Sequence, residues 1–172
     1  MTGRNVAADI SLDIGLAGEL LTREAELLDS GCLDEWLAVG TVDMRYRVPK
    51  PTALLNDRID IINDQRADLV ERVWRIQNSG LNHSQDPPTR QMRCVTNIQV
   101  APTEDPAEFD VRCNTLLWEI RSGGHDAGQP IACHPMRCEY IWRFTDDGWR
   151  ISLKVLNLLE SAATLTTLTN IL

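Results

Sequence analysis

An α+β fold is predicted, with helices first and an antiparallel sheet after, and three observations predict it. Leucines at helical spacing fill the first forty residues, strict apolar/polar alternation dominates from residue 90 onward, and strong turn signals separate the alternating runs. The chain has 172 residues, 43% hydrophobic and 24% charged, which suits one domain with a real core and excludes wholesale disorder. Residues 1–10 are expected to be a flexible tail and 11–172 a single domain.

The first helix is carried by Leu16, Leu20, Leu21, Leu27 and Leu28, with Glu19, Arg23, Glu24 and Glu26 between them. That spacing makes one apolar stripe. Ser11 and Asp13 are both candidate N-caps, and Gly31 is the stop. A second short helix spans Leu33 to Val39 and ends at Gly40. Val42, Met44, Tyr46 and Val48 alternate with Asp43, Arg45 and Arg47, so a strand with one buried face follows, ended by Pro49 and Pro51. Residues 52–63 are ambiguous. Asp64 to Gln77 is expected to be helical, with Leu69, Val73 and Ile76 on one side and Val70 and Trp74 beside them.

Beyond Pro87-Pro88 the period changes to two. Met92, Cys94, Thr96, Ile98 and Val100 are expected on one face of a strand, and Phe109, Val111, Cys113, Thr115 and Leu117 on one face of the next. The segment Ala101 to Ala107 reads as their hairpin loop. After a glycine-rich connection, Ser122 to Pro130, Cys138, Tyr140, Trp142 and Phe144 alternate. The Asp147-Gly148 turn leads to Trp149, Ile151, Leu153 and Val155. The uncharged segment Ser161 to Leu172 is expected to be extended, packed on the body or on a partner. The opposite sheet face collects Arg93, Arg112, Arg137, Arg143, Arg150 and Lys154. It is either a solvated face whose arginines pair with Asp110 and Glu139, or a docking face for another subunit.

Composition narrows function mainly by exclusion. Seventeen basic against twenty-five acidic residues give a net charge of −8, which disfavours a nucleic-acid partner. No apolar run approaches the roughly 20 residues of a membrane span, and Asp9, Asp13 and Glu19 interrupt any leader-like stretch. A cytoplasmic protein is the expectation, in which the Asn82-His83-Ser84 triplet is not glycosylated. The five cysteines then read as free thiols.

Cys133 and Cys138 bracket His134, but an offset of five sends the two sulfurs to opposite faces of a strand, and no second cysteine pair completes a zinc site. His83, His125 and His134 match no iron-ligand spacing. There is no nucleophile elbow and no phosphate loop. An acid/base pair drawn from Asp29, His83 and Asp86 is the remaining catalytic alternative, with Asp29 otherwise a water-facing helix residue.

The stretch Asp86-Pro87-Pro88-Thr89-Arg90, leading into Met92-Arg93-Cys94-Val95-Thr96-Asn97, resembles the small (beta) subunits of bacterial aromatic-ring-hydroxylating dioxygenases. Arg23 to Asp29 with Leu33 to Leu37 is similar to that family's first two helices. Tyr46-Arg47-Val48-Pro49, Asp147 to Ile151 and Leu168 to Leu172 resemble later family segments. The resemblance implies a cone-shaped, strongly curved, mostly antiparallel sheet covered by N-terminal helices, as in ketosteroid isomerase and scytalone dehydratase. It also implies a non-catalytic structural subunit. The Rieske iron–sulfur cluster and mononuclear iron would sit in a partner large (alpha) subunit, three large with three small chains. NADH would supply electrons through a reductase, with or without a ferredoxin. Cys94 stands where many relatives have histidine, on a strand expected to line the cone. Interface candidates are Asp86, Pro87, Pro88, Thr89, Arg90, Arg93, Arg112, Arg143 and Arg150. The rival readings are a stand-alone dehydratase or isomerase, and a small-ligand-binding module of the same fold.

Overall fold

A computed structural model of the chain describes residues 10–50, 60–78, 89–120 and 131–159. The expectations for the N-terminal tail, for His83, Asp86, Pro87 and Pro88, for Ser122–Pro130 and for the last twelve residues lie outside them. The described elements run α1 (Ile14–Asp29), α2 (Leu33–Val39), β1 (Gly40–Pro49), β2 (Asp60–Gln65), α3 (Arg66–Asn78), β3 (Arg90–Pro102), β4 (Glu108–Ile120), β5 (Ala132–Thr145) and β6 (Gly148–Leu158). They form one six-stranded sheet in the order β2-β1-β6-β5-β4-β3. Every neighbouring pair is antiparallel except β1 with β6.

The first helix starts and stops as its sequence dictates. The Asp13 carboxylate accepts from the Leu16 amide at 2.8 Å, capping the N-terminus. At the other end Gly31 takes φ +70, and the amides of Gly31 and Cys32 return to the carbonyls of Leu28 and Leu27. That is a Schellman closure, which needs a left-handed residue at this point. The buried face of α1 is Ala17, Leu21, Glu24, Ala25 and Leu28. This helix packs along edge strand β3 while Glu24 reaches Lys154 in the middle of the sheet. The sheet therefore curls around α1, giving the expected α+β cone.

The last helix begins two residues later than expected. Asp64 and Gln65 belong to β2, paired with Tyr46 and Arg45 of β1. An available strand edge overrode their local preference. Leu69 and Val73 are buried, whereas Val70 and Trp74 face outward. Gly40 lies close under Met44: a Cβ there would stand 2.3 Å from Met44 Sδ, so the Met44 side chain would have to shift to admit a larger residue.

Three departures from strict alternation decide what faces the interior. In β3 the register with β4 slips between Thr96 and Gln99, where Asn97 takes φ 56. In β6, Ser152 is an extra residue between Ile151, opposite Trp142, and Leu153, opposite Ile141. Its hydroxyl donates to the Ile141 carbonyl at 3.2 Å. In β1 the pairing with β6 is irregular between Gly40 and Arg45. A bulge reverses the in/out phase of everything beyond it. Val42, expected inside, is exposed, and Thr41 is buried instead. Leu153 and Val155 leave the interior face, and Lys154, Leu156 and Leu158 take it. Arg93 and Val95 point inward, and Met92 and Cys94 outward. The expectation that Cys94 lines the cone is corrected accordingly, as is the placing of Arg93 and Lys154 on the outer face.

The Asn97 bulge should tolerate only residues that accept a left-handed backbone. Asn97→Gly is expected to leave the urea-unfolding free energy within about 0.5 kcal/mol of the parent, and Asn97→Val to lower it by about 1–2 kcal/mol. Equal behaviour of the two variants would contradict the geometry.

Candidate functional site

The interior of the cone is built around one carboxylate. Glu24, on the buried stripe of α1, accepts from Lys154 Nζ of β6 at 2.8 Å and from Trp36 Nε1 of α2 at 3.0 Å, all at the same oxygen. The Tyr140 hydroxyl of β5 also hydrogen-bonds Glu24. Lys154 Nζ stands 5.7 Å from the ring centres of both Trp36 and Tyr140, cation–π distances in a dry setting. Glu24 and Lys154 are 3% and 2% exposed, so this is an ion pair removed from water.

Burial alone would push the Glu24 carboxyl up. The Lys154 charge and the hydrogen bonds from Lys154, Trp36 and Tyr140 outweigh that and hold it below the ordinary carboxylate value. Burial, followed by the Glu24 charge, drives the Tyr140 hydroxyl well above its usual range, so it stays a neutral donor. On the same face Cys138 Sγ lies 3.4 Å from Thr115 Oγ1. A hydrogen bond with Cys138, then burial, pushes the Cys113 thiol up, which makes it a poor nucleophile.

The space left among Leu21, Glu24, Arg93, Thr115, Tyr140 and Lys154 is about 10 Å³, room for roughly one water. A larger recess of about 130 Å³ lies between α1–α2 and β5–β6, lined by Arg23, Glu35, Trp142, Trp149 and Arg150.

The residues singled out from sequence are distributed differently. Asp29 is half-buried and paired rather than a free, water-facing helix residue. Its carboxylate accepts from the Arg93 backbone amide at 2.7 Å and pairs with the Arg93 guanidinium, whose side chain is 4% exposed. Asp29 thus clamps the end of α1 to β3. Its proposed partners His83 and Asp86 are outside the described residues. Thr89 and Arg90 enter β3, with Arg90 exposed. Arg112 pairs with Asp110 at 2.7 Å, and Arg143 with Glu108 at 2.6 Å and Asp43 at 3.0 Å. Arg150 donates to the Trp149 carbonyl. Cys138 faces the interior and Cys133, an odd number of residues earlier on β5, the outside. His134 lies 3.5 Å from Glu119. Among the described residues no three His, Cys, Asp or Glu side chains converge to hold a metal, and no helix is long and apolar enough to cross a membrane.

Sequence reasoning missed the Glu24 cluster, although half of it was legible. Leu21, Glu24, Ala25 and Leu28 share the buried face at helical spacing, so a carboxylate in that stripe demands a buried partner. Lys154 carried no such signal, because the Ser152 bulge alone turns it inward.

Lys154→Met leaves Glu24 buried without its cation and should cost about 3–5 kcal/mol, while Glu24→Leu combined with Lys154→Met should recover most of that loss. Because the folded Glu24 pKa lies below the unfolded one, its contribution is complete above the ordinary carboxylate range and is lost as pH falls through the folded value. Denaturant unfolding should therefore show the parent losing more stability on acidification than the double variant. Parallel pH profiles would refute the assignment.

Comparison with known proteins places this geometry. A family described as "Ring hydroxylating beta subunit" matches residues 23–164. A chain of a naphthalene 1,2-dioxygenase structure with indole bound superposes with a TM-score of 0.79 at 22% identity, covering 94% of this chain and 88% of that one. The beta subunit of benzoate 1,2-dioxygenase from Burkholderia mallei superposes with a TM-score of 0.73 at 23% identity, covering 94% and 99%. An NTF2-like protein with a cystatin-like fold from Novosphingobium aromaticivorans reaches 0.56 at 18% identity, covering 88% and 94%. The three structures share the fold, and the family match spans most of the chain, cone interior included. The chain belongs to the ring-hydroxylating dioxygenase beta-subunit family.

Proposed function

We propose that this chain is a structural, non-catalytic subunit that holds a ring-hydroxylating dioxygenase together. The observation that carries the reading is how closely the cone interior is packed among the described residues. Pocket enzymes need an enclosed cavity of some hundreds of Å³ with convergent polar groups. Here Glu24, Lys154, Trp36 and Tyr140 satisfy one another and leave space for about one water. Asp29, the describable member of the alternative acid/base set, is committed to Arg93. The dehydratase or isomerase alternative therefore has no support in the described residues.

In this reading the oxidation belongs to the complex. The large subunit carries the Rieske cluster and the mononuclear iron and adds dioxygen to an aromatic ring. Electrons come from NADH through a reductase, with or without a ferredoxin. The small subunit supplies a rigid body, its helices pinned to the sheet by Glu24 and Asp29, on which large subunits assemble. An assembly of three large with three small chains in the cytoplasm is part of the same proposal.

Gentle purification of the tagged chain from its own host tests this. The expected product is a brown complex containing a second, larger chain and an iron–sulfur absorption spectrum. The isolated, refolded chain should bind no stoichiometric iron and turn over no cyclic ketone or alcohol. A colourless particle containing this chain only, or iron in the isolated chain, would overturn the proposal.

A further inference from the structure

Cys113 and Cys138 stand directly opposite one another on β4 and β5. The register between these strands is unbroken from Glu108–Arg143 to Glu119–Ala132. Both side chains point into the cone, at 3% and 2% exposure. Opposed residues of an antiparallel pair have Cα atoms about 4.5 or about 5.5 Å apart, depending on whether the pair is hydrogen-bonded. A disulfide spans about 4.4–6.8 Å between Cα atoms, so either spacing admits one without moving the strands. Both sulfurs border the Thr115 hydroxyl, at 3.4 Å from Cys138 Sγ and 4.0 Å from Cys113 Sγ, and the Cys113 thiol donates to the Cys138 sulfur. As they stand, both are free thiols.

The two sulfurs are not equivalent. Cys138 is held toward the thiolate, first by the Cys113 hydrogen bond and then by Thr115 and the Lys154 charge, against burial and the Glu24 charge. Cys113 is pushed the other way and stays protonated. Cys138 also lines the space of about 10 Å³ among Glu24, Thr115 and Lys154. That space holds about one water, so a reagent that reaches the sulfur must be close to water in size. Hydrogen peroxide is a two-electron oxidant that meets this limit, and glutathione disulfide is not.

We propose that Cys113 and Cys138 are an internal thiol pair that hydrogen peroxide converts to a cross-strand disulfide, with Cys138 the attacking sulfur and Cys113 the resolving one. Cys138 Sγ attacks a peroxide oxygen. An S–O bond forms, the O–O bond breaks, and the departing hydroxide takes up the proton Cys138 released, giving water. Cys113 Sγ then attacks the sulfenic sulfur. The S–S bond forms, the S–O bond breaks, and hydroxide leaves with the Cys113 proton as a second water. Two thiols together lose two electrons, and one peroxide gains them. Because Cys113 already stands opposite, closure outruns further oxidation of the sulfenic acid, and thiols can reverse it.

Peroxide titration of the full chain, purified from its host with whatever subunits accompany it, tests this. After alkylation and proteolysis, mass spectrometry should find peptides joined through Cys113 and Cys138 and released by dithiothreitol. The pair should close several-fold faster than Cys32, Cys94 and Cys133 are oxidised, although those three are less buried. Exposure alone predicts the opposite order. Cys113→Ala should leave on Cys138 a sulfenic acid that dimedone traps, and Cys138→Ala should leave Cys113 unoxidised. Persistence of both thiols in the folded parent while the other three react would overturn the proposal. So would closure only after denaturant unfolds the chain, or pairing of Cys138 with a different cysteine. Dimedone labelling of Cys113 in Cys138→Ala would overturn the assignment of roles. If an alanine variant fails to fold, the peptide map of the parent decides.

Discussion

A single carboxylate oxygen of Glu24 joins α1, α2 and β6 by accepting from Trp36 and Lys154, and Tyr140 adds β5 to the same cluster. Its energetic meaning is asymmetric. A buried ion pair gains little over a well-packed apolar substitute, yet breaking it from one side strands a charge in the interior. The pair therefore acts mainly by excluding alternatives. A helix that slid or rotated over the sheet would carry Glu24 away from Lys154. The Asp29–Arg93 clamp at the end of α1 secures the same helix to the far edge of the sheet.

The pair exists because β6 contains one residue too many. Were Ser152 paired with Ile141 in regular register, Leu153 would stand opposite Tyr140 in the interior and Lys154 opposite Glu139 on the outer face. The slip at Asn97 does the corresponding work in β3, turning Arg93 inward toward Asp29. Both charged contacts that hold α1 are thus consequences of bulges. Bulges recur where a side chain must be re-aimed, and here they re-aim cations into a dry interior.

This arrangement explains how one fold serves two ends. A cone with an empty interior can enclose a substrate and add an acid and a base. Among the described residues the polar groups inside the cone, Glu24, Lys154, Trp36 and Tyr140, are engaged with one another and leave room for about one water. Among the described residues, one half of the outer face is self-paired and the other exposes apolar side chains.

Much of this was legible from residue order alone. The Asp13 cap, the Gly31 stop, the leucine stripe of α1, the change of period after residue 90, the two hairpins and the resemblance to beta subunits are local features, set by nearby residues and readable in sequence. The strand Asp60–Gln65, the exposure of Val42, the outward turn of Cys94 and the burial of Arg93 and Lys154 were not. Period-two alternation specifies faces only while each strand keeps step with its neighbour. Whether an extra residue is accommodated as a bulge depends on the partner strand, often far away in sequence. The pattern of residue types determined the sheet and its helices, and only tertiary pairing decided which face each cation took.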